Sequence, residues 1–273
     1  MSLRVTVLGC GSSGGVPRVG GDWGTCDPSE PRNRRSRSSL LVEKTGNEGT
    51  TTILVDTSPD LREQLLAAGT QRIDAVFYTH DHADQSHGID DLRAIAYRMR
   101  AQIPTYMDKH TKDAVWKRFN YCFEMPEGRV HPPILQLQDL LEDGQTRTVD
   151  GPGGTIEVGV IAASHGPTPT LVFTFDGQLA YSPDVWDISD DGMARLDGID
   201  TWVLDALRYN DHPTHAHADR SLAWLARVRA RRGVLTNLHI DMDYATLSSE
   251  LPPIAVAAFD GMAFDVPGRG GDS

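Results

Sequence analysis

Cysteine is scarce in this sequence, and so is positive charge. Only Cys10, Cys26 and Cys122 occur among 273 residues. An odd count without CxxC spacing argues against a disulfide framework and fits reduced thiols in the cytoplasm. Long apolar runs are also missing. None approaches the roughly 18 residues that a membrane span needs, so no membrane partner is expected. The opening stretch, Met1 to Val7, enters a β pattern without a basic segment followed by an apolar one. That argues against secretion by signal peptide and makes a cytoplasmic location the expectation. Lys and Arg total 26 against 38 Asp and Glu, a formal net charge of −12. Such a surface repels the phosphates of long DNA or RNA. A small anionic substrate stays open if positive charge is concentrated in one cleft, and bound metal cations can supply it.

What is present is ordinary globular sequence, 39% hydrophobic and 23% charged. The length suffices for one large α/β domain or two small ones. No linker divides it, so a single domain over residues 1–266 is expected, with 267–273 a disordered tail. Residues 4–8 alternate like a strand, and a Gly-rich loop follows from Gly9 to Gly15. No Gly-Lys-Ser/Thr closes that loop, so it is not a P-loop but a tight turn beside the cleft. Residues 39–43 and 52–56 read as strands. Ser58-Pro59 reads as a helix N-cap followed by proline at the first helical position, with the helix ending near Gly69. Residues 74–79 read as a buried strand. The spacing of Ile89, Leu92, Ile95 and Ala96 predicts a helix after it. In the second half, strands are expected over 155–162, 170–175, 178–182, 201–205 and 233–238. A helix carries Leu222, Leu225, Ala226 and Arg229. Two β-rich halves with outer helices predict an αββα sandwich.

Five residues carry the chemistry most visibly: His80-Asp81-His82-Ala83-Asp84. On an extended segment, residues i and i+2 point to the same side, so His80 and His82 can converge on one ion. Asp84 follows where a helix begins and can face a second ion. Imidazole suits zinc, iron, nickel or manganese, and a carboxylate can bridge. His165, Asp184 and His239 stand at the ends of later expected strands. Taken singly, each is compatible with a turn residue. Their shared placement makes them a set, because strand ends in layered α/β folds gather into one cleft.

In this order, an HxHxD string followed by His, Asp and His at late strand ends, the chain resembles the metallo-β-lactamase superfamily. Leu8 to Pro17, Thr79 to Arg93 and Tyr181-Ser182-Pro183-Asp184 are similar to the phosphoribosyl 1,2-cyclic phosphate phosphodiesterases and, more distantly, to ribonuclease Z. The resemblance runs from Leu3 to about Leu251 and implies a four-layer αββα fold with two divalent ions, zinc or manganese. It implies that His80, His82 and His165 hold one ion. Asp184 then bridges to a second, held also by Asp84 and His239. Two departures fall on the second site. Gln85 stands where the family motif has histidine, and Thr236-Asn237 stands where many relatives have Thr-His. An amide oxygen is a weaker, neutral ligand, so a loosely held second ion is expected. His87 fits a solvent-facing or supporting role. The structural zinc that some relatives hold with clustered cysteines after the first strand is not expected, since only Cys26 occurs there.

The cluster His212-Pro213-Thr214-His215-Ala216-His217 contributes no ligand to that set and is free for acid–base work. By the same resemblance a histidine here protonates the leaving group, and the position relative to Ser221-Leu222-Ala223 favours His215. Arg32, Arg34, Arg35 and Arg37 form a basic island that could meet phosphate or simply lie in a solvated loop. Arg93 is placed to reach either substrate or Asp90. The expected reaction is hydrolysis of a small phosphodiester, a cyclic ribose phosphate or nucleotide-like ester. Hydroxide generated at the metals attacks phosphorus, Asp84 orients it and His215 acts as general acid. A thioesterase or lactonase on the same fold is the alternative, RNA cleavage is third and disfavoured by the charge, and a non-catalytic metal-binding member is the rival that Gln85 keeps open. The expected partner is a small phosphorylated substrate; the sequence permits a homodimer without requiring one.

Overall fold

The computed structural model describes residues 2–125, 127–128 and 130–268. From residue 269 onward, the expected tail lies outside the described residues. The first sheet is built from β1 (Leu3–Gly9), β2 (Ser39–Gly46), β3 (Gly49–Val55), β4 (Ala75–Phe77), β5 (Ile103–Tyr106) and β6 (Leu135–Leu137). Interspersed are α1 (Leu61–Ala68), α2 (Ala83–Ser86), α3 (Arg93–Met99) and α4 (Lys109–Phe119). The second sheet follows with β7 (Thr146–Val149), β8 (Ile156–His165), β9 (Thr168–Phe175), β10 (Leu179–Ser182) and β11 (Asp187–Ile188). After α5 (Asp190–Arg195) come β12 (Thr201–Asp205), α6 (Ala218–Arg227), β13 (Arg232–Thr236), α7 (Tyr244–Glu250) and β14 (Ala255–Ala257). The last strand, β15 (Met262–Val266), returns to the first sheet and pairs antiparallel with β1. The sheet orders are β15-β1-β2-β3-β4-β5-β6 and β11-β8-β9-β10-β12-β13-β14, with β7 paired to β8.

Period-2 patterning assigns the faces. In the first sheet Val5, Val7, Leu40, Val42, Ile53, Val55 and Phe77 point inward and meet Val158, Phe173, Tyr181, Val203 and Val234 of the second. Their alternates Leu41, Leu54, Val76 and Tyr78 point outward and are covered by Leu61 and Leu65 of α1, Ile95 of α3 and Val115 of α4. On the far side Trp202, Leu204 and Leu235 pack under Trp224 and Leu225 of α6 and Met193 of α5. The result is the expected αββα sandwich. Antiparallel pairing of β1, β2 and β3 gives way to parallel pairing of β3, β4, β5 and β6. In the second sheet β10, β12, β13 and β14 run parallel. Parallel strands bring their C-terminal ends to one edge of a sheet, and that edge carries the site.

Two local expectations shift. Helix α1 has Asp60, not Ser58, at its N-cap position, and the Asp60 side chain makes no capping bond. The Ser58 hydroxyl instead accepts from the Asp60 N–H and donates to Gln64, so it serves the turn that enters the helix. The helix does end at Gly69, whose φ of 67° gives the left-handed cap that glycine adopts without strain. The expected helix after His80 is divided into α2, a 3₁₀ turn over Ile89–Leu92, and α3. At its centre Gly88 passes so close to the preceding loop that a Cβ would lie 1.9 Å from the Ser58 carbonyl oxygen. No larger residue fits there without moving the segment that carries the HxHxD string.

Candidate metal centre

Strand β4 ends at Phe77, and the chain leaves it as Tyr78-Thr79-His80-Asp81-His82 before α2 begins at Ala83. Several bonds fix this segment. The Asp56 carboxylate, just past β3, accepts from the Thr79 N–H at 2.8 Å and the Thr79 hydroxyl at 2.9 Å. Arg118 of α4 donates to the Asp81 carbonyl and carboxylate, and the Ser86 hydroxyl donates to the His82 carbonyl. Since the Thr79 hydroxyl donates to Asp56, it accepts from His80 Nδ1–H at 3.0 Å. That bond fixes the tautomer and leaves the His80 Nε2 lone pair free. This atom is buried and has no hydrogen-bond partner. A buried unpaired nitrogen is costly unless something binds it.

His165, at the end of β8, is arranged alike. Its Nδ1–H donates to the Thr214 carbonyl at 2.7 Å, which leaves Nε2 for another partner. His80, His82 and His165 bring one ligand atom each to within 4.8 Å of one another. Burial, together with the neighbouring histidines, holds His80 well below the ordinary histidine range. Burial and the charge of His215 lower His165 to about 4, against the opposing Thr214 carbonyl. Neutral imidazoles are the form that binds metal. The donor set fits a divalent transition metal: three imidazole nitrogens, two of them oriented by a hydrogen bond at the other ring nitrogen.

Carboxylates gather behind this triad. Asp184 follows β10 and Asp205 closes β12; both are buried. Burial and the charges of Asp84, Asp205 and Asp56 push the Asp184 carboxyl well above its ordinary range, against the pull of His215. The group is short of positive charge, the condition that a bound cation relieves. His165, Asp184 and His215 form a second close set of potential ligands.

Of the three histidines between 212 and 217, His215 enters this centre. Its ring lies 4.4 Å from that of His165, centroid to centroid. Its Nδ1–H donates to Asp205 at 2.8 Å. Burial disfavours the imidazolium, but Asp205, Asp184 and Asp84 outweigh that cost and hold His215 up at about 9. His212 accepts from Thr214, and His217 pairs with Asp211.

The remaining expected residues fall out as follows. Asp84 accepts from the Gln85 amide at 3.3 Å and faces the centre from α2. His239 is not brought to the triad: its Nδ1 faces Asp241 and its Nε2 faces Arg18. The strand expected to run to residue 238 stops at Thr236, and Asn237 takes a left-handed φ of 61°. The side chain that enters the site is therefore Asn237, whose amide donates to Asp184 and Asp205. His87 is exposed and packs edge-on against Phe119. The basic island is dispersed. Arg32 pairs with Glu30 and Arg37 with Asp60, while buried Arg35 donates to the carbonyls of His239 and Met242. Arg93 pairs with Asp90. The Gly9–Gly15 loop does flank the site, through a bridge from Gly11 to Leu238. Asp205 was legible as the last residue of an expected strand, and the rule that selected Asp184 applied equally to it. Asp56, the last residue of the expected strand 52–56, and Thr79, the first of the Thr79–Arg93 segment, were in view but were given no role.

A model of the beta-lactamase superfamily domain matches residues 51–240, a span that includes every ligand of the triad. The chain belongs to the metallo-β-lactamase superfamily. Among solved members it is similar to a diphosphatase from the PhnP family, with 30% identity, a TM-score of 0.84 and 97% of each chain covered. Zinc-bound PqqB from Methylobacterium extorquens shares the fold at 21% identity and a TM-score of 0.73, covering 96% of this chain and 99% of that one. The octanoyltransferase of Porphyromonas gingivalis (strain ATCC BAA-308 / W83) is 29% identical over 98% of this superfamily member. The match takes in 52% of that protein, so this chain spans about half the length of that relative. Among the described residues, no helix is long and apolar enough to cross a membrane.

Proposed function

We propose that this chain is a metal-dependent hydrolase of small phosphodiesters, with a cyclic ribose phosphate or a nucleotide-like ester as substrate. The observation that carries the reading is the juxtaposition of two parts. One is the His80, His82 and His165 triad. The other is a proton donor, His215, held by buried Asp205 against that triad. A divalent ion bound by the three imidazoles supplies Lewis acidity and lowers the pKa of water. The chain does the rest. Asp84 orients the attacking water through a hydrogen bond. His215, kept protonated by Asp205, delivers its Nε2 proton to the departing alkoxide. Asp205 keeps the imidazole in that tautomer. The negative surface disfavours long nucleic acid, whereas a small phosphorylated substrate enters a centre whose local charge the metal offsets. Similarity to a diphosphatase at 30% identity over 97% of the chain supports phosphorus chemistry over other uses of the fold.

Acyl hydrolysis at the same centre, as a thioesterase or lactonase, is the second reading. It has the match to an octanoyltransferase in its favour, although that match spans only half of the relative. Protein reconstituted with zinc or manganese separates the two. Cyclic ribose phosphates and bis-p-nitrophenyl phosphate are set against thioesters and lactones. Turnover confined to the phosphodiesters is expected. Turnover confined to the acyl substrates rejects the phosphodiesterase reading, and no turnover of either points to a non-catalytic member.

A further inference from the structure

Gln85 and Asn237 are amides, and both bind the same carboxylate. Gln85 Nε2 donates to Asp184 Oδ2 at 3.0 Å and to Asp84 Oδ2 at 3.3 Å. Asn237 Nδ2 donates to Asp184 Oδ1 at 3.3 Å and to Asp205 Oδ1 at 3.1 Å. An amide nitrogen carries two N–H groups, so both donors of each side chain are spent on carboxylates. Each oxygen of Asp184 thereby receives an amide. Gln85 Nε2 sits between Asp84 and Asp184, the two carboxylates that the family resemblance assigns to a second cation. Among the described residues, the close set on this side is His165, Asp184 and His215, but the free nitrogen of His165 already serves the triad and the Nδ1 of His215 is committed to Asp205. The residues present do not fit a second ion.

We propose that this chain is a one-metal member of its superfamily. His80, His82 and His165 hold the single ion, and the Gln85 and Asn237 amides occupy the place of a second. The inference rests on the metal centre proposed above and concerns its stoichiometry. The physical logic is substitution: a pair of carboxylates needs cations or N–H donors between them, and here N–H donors are built into the chain. The amide oxygens, Gln85 Oε1 and Asn237 Oδ1, are buried without a hydrogen-bond partner. Were both amides turned over, those oxygens would be neutral ligands and the N–H donors would leave Asp184. Metal titration distinguishes the two arrangements.

The test is metal content of the purified wild-type chain after incubation with excess zinc chloride or manganese chloride and desalting. Electron paramagnetic resonance of the manganese form accompanies it. One equivalent per chain and an uncoupled manganese signal are expected. The Gln85→His/Asn237→His double variant is expected to take up two equivalents and give an exchange-coupled signal. Two tightly held equivalents in the wild type overturn the proposal while leaving the hydrolase reading standing. Zero equivalents overturn both. One equivalent in a folded double variant, judged by circular dichroism, overturns the role given to the amides. The wild-type stoichiometry decides the main point even if the double variant does not fold.

Discussion

His215 donates its Nδ1–H to buried Asp205 at 2.8 Å and packs, itself partly exposed, against the imidazole of His165. One histidine of the wall is thus held neutral for a metal while its neighbour is held charged. Burial and the charge of His215 lower His165, whereas Asp205, Asp184 and Asp84 outweigh burial at His215.

That contrast predicts a pH effect. Burial lowers the His215 pKa, and Asp205 is the largest influence raising it, to about 9 overall. Asp205→Asn removes the raising charge, so the imidazolium is lost at a lower pH. The alkaline limb of the kcat/KM profile on a ribose phosphodiester should move to lower pH. Imidazole titration by NMR should move the same way. An unshifted limb in a folded, metal-replete variant would separate Asp205 from the proton donor.

The leaving group sets how much His215 matters. An alkoxide leaving ribose needs a proton, and p-nitrophenolate does not. His215→Ala should slow a ribose phosphodiester by about 10²–10⁴-fold. It should slow a p-nitrophenyl ester far less, with metal content unchanged. Equal losses on both substrates would indicate positioning in place of proton transfer.

His82→Ala removes one of three converging nitrogens. Metal retention and hydrolysis should be lost together. Full metal occupancy in this variant, measured by elemental analysis, would mean that the triad is wrongly drawn.

Thr79 supports His80 from behind. Thr79→Val removes the acceptor for His80 Nδ1–H and a donor to Asp56. Metal affinity should fall by about 10–100-fold, the usual cost of losing such an outer hydrogen bond. Thr79→Ser should restore it. Equal affinity in Val and Ser variants of matched thermal stability would reduce Thr79 to a packing role.

Much of this arrangement could be read in the sequence, and the reasons differ by element. Residues 4–8 alternate, and the short apolar runs in 39–43 and 52–56 read as strands buried on both faces. Strands β5, β6, β11 and β14, of four residues or fewer, offer too few residues for a period to register. His80, His82 and His165 were legible because strand ends converge. Asn237 was passed over for His239 because chemistry alone favours an imidazole. A left-handed turn at Asn237 decides which side chain enters, and its one local signal is the tolerance of asparagine for that conformation. The Arg32–Arg37 island shows the reverse problem. Its charge is visible in sequence, yet partners such as Asp60 for Arg37 and the Met242 carbonyl for Arg35 come from elsewhere in the chain.

The most direct measurement is hydrolysis of a ribose cyclic phosphate by the chain as purified, after chelation, and after zinc or manganese is restored. Turnover that disappears with the metal and returns with it is the predicted result. Turnover that survives chelation with no metal left on the protein, or a reconstituted protein that cleaves thioesters and lactones but no phosphodiester, would contradict it.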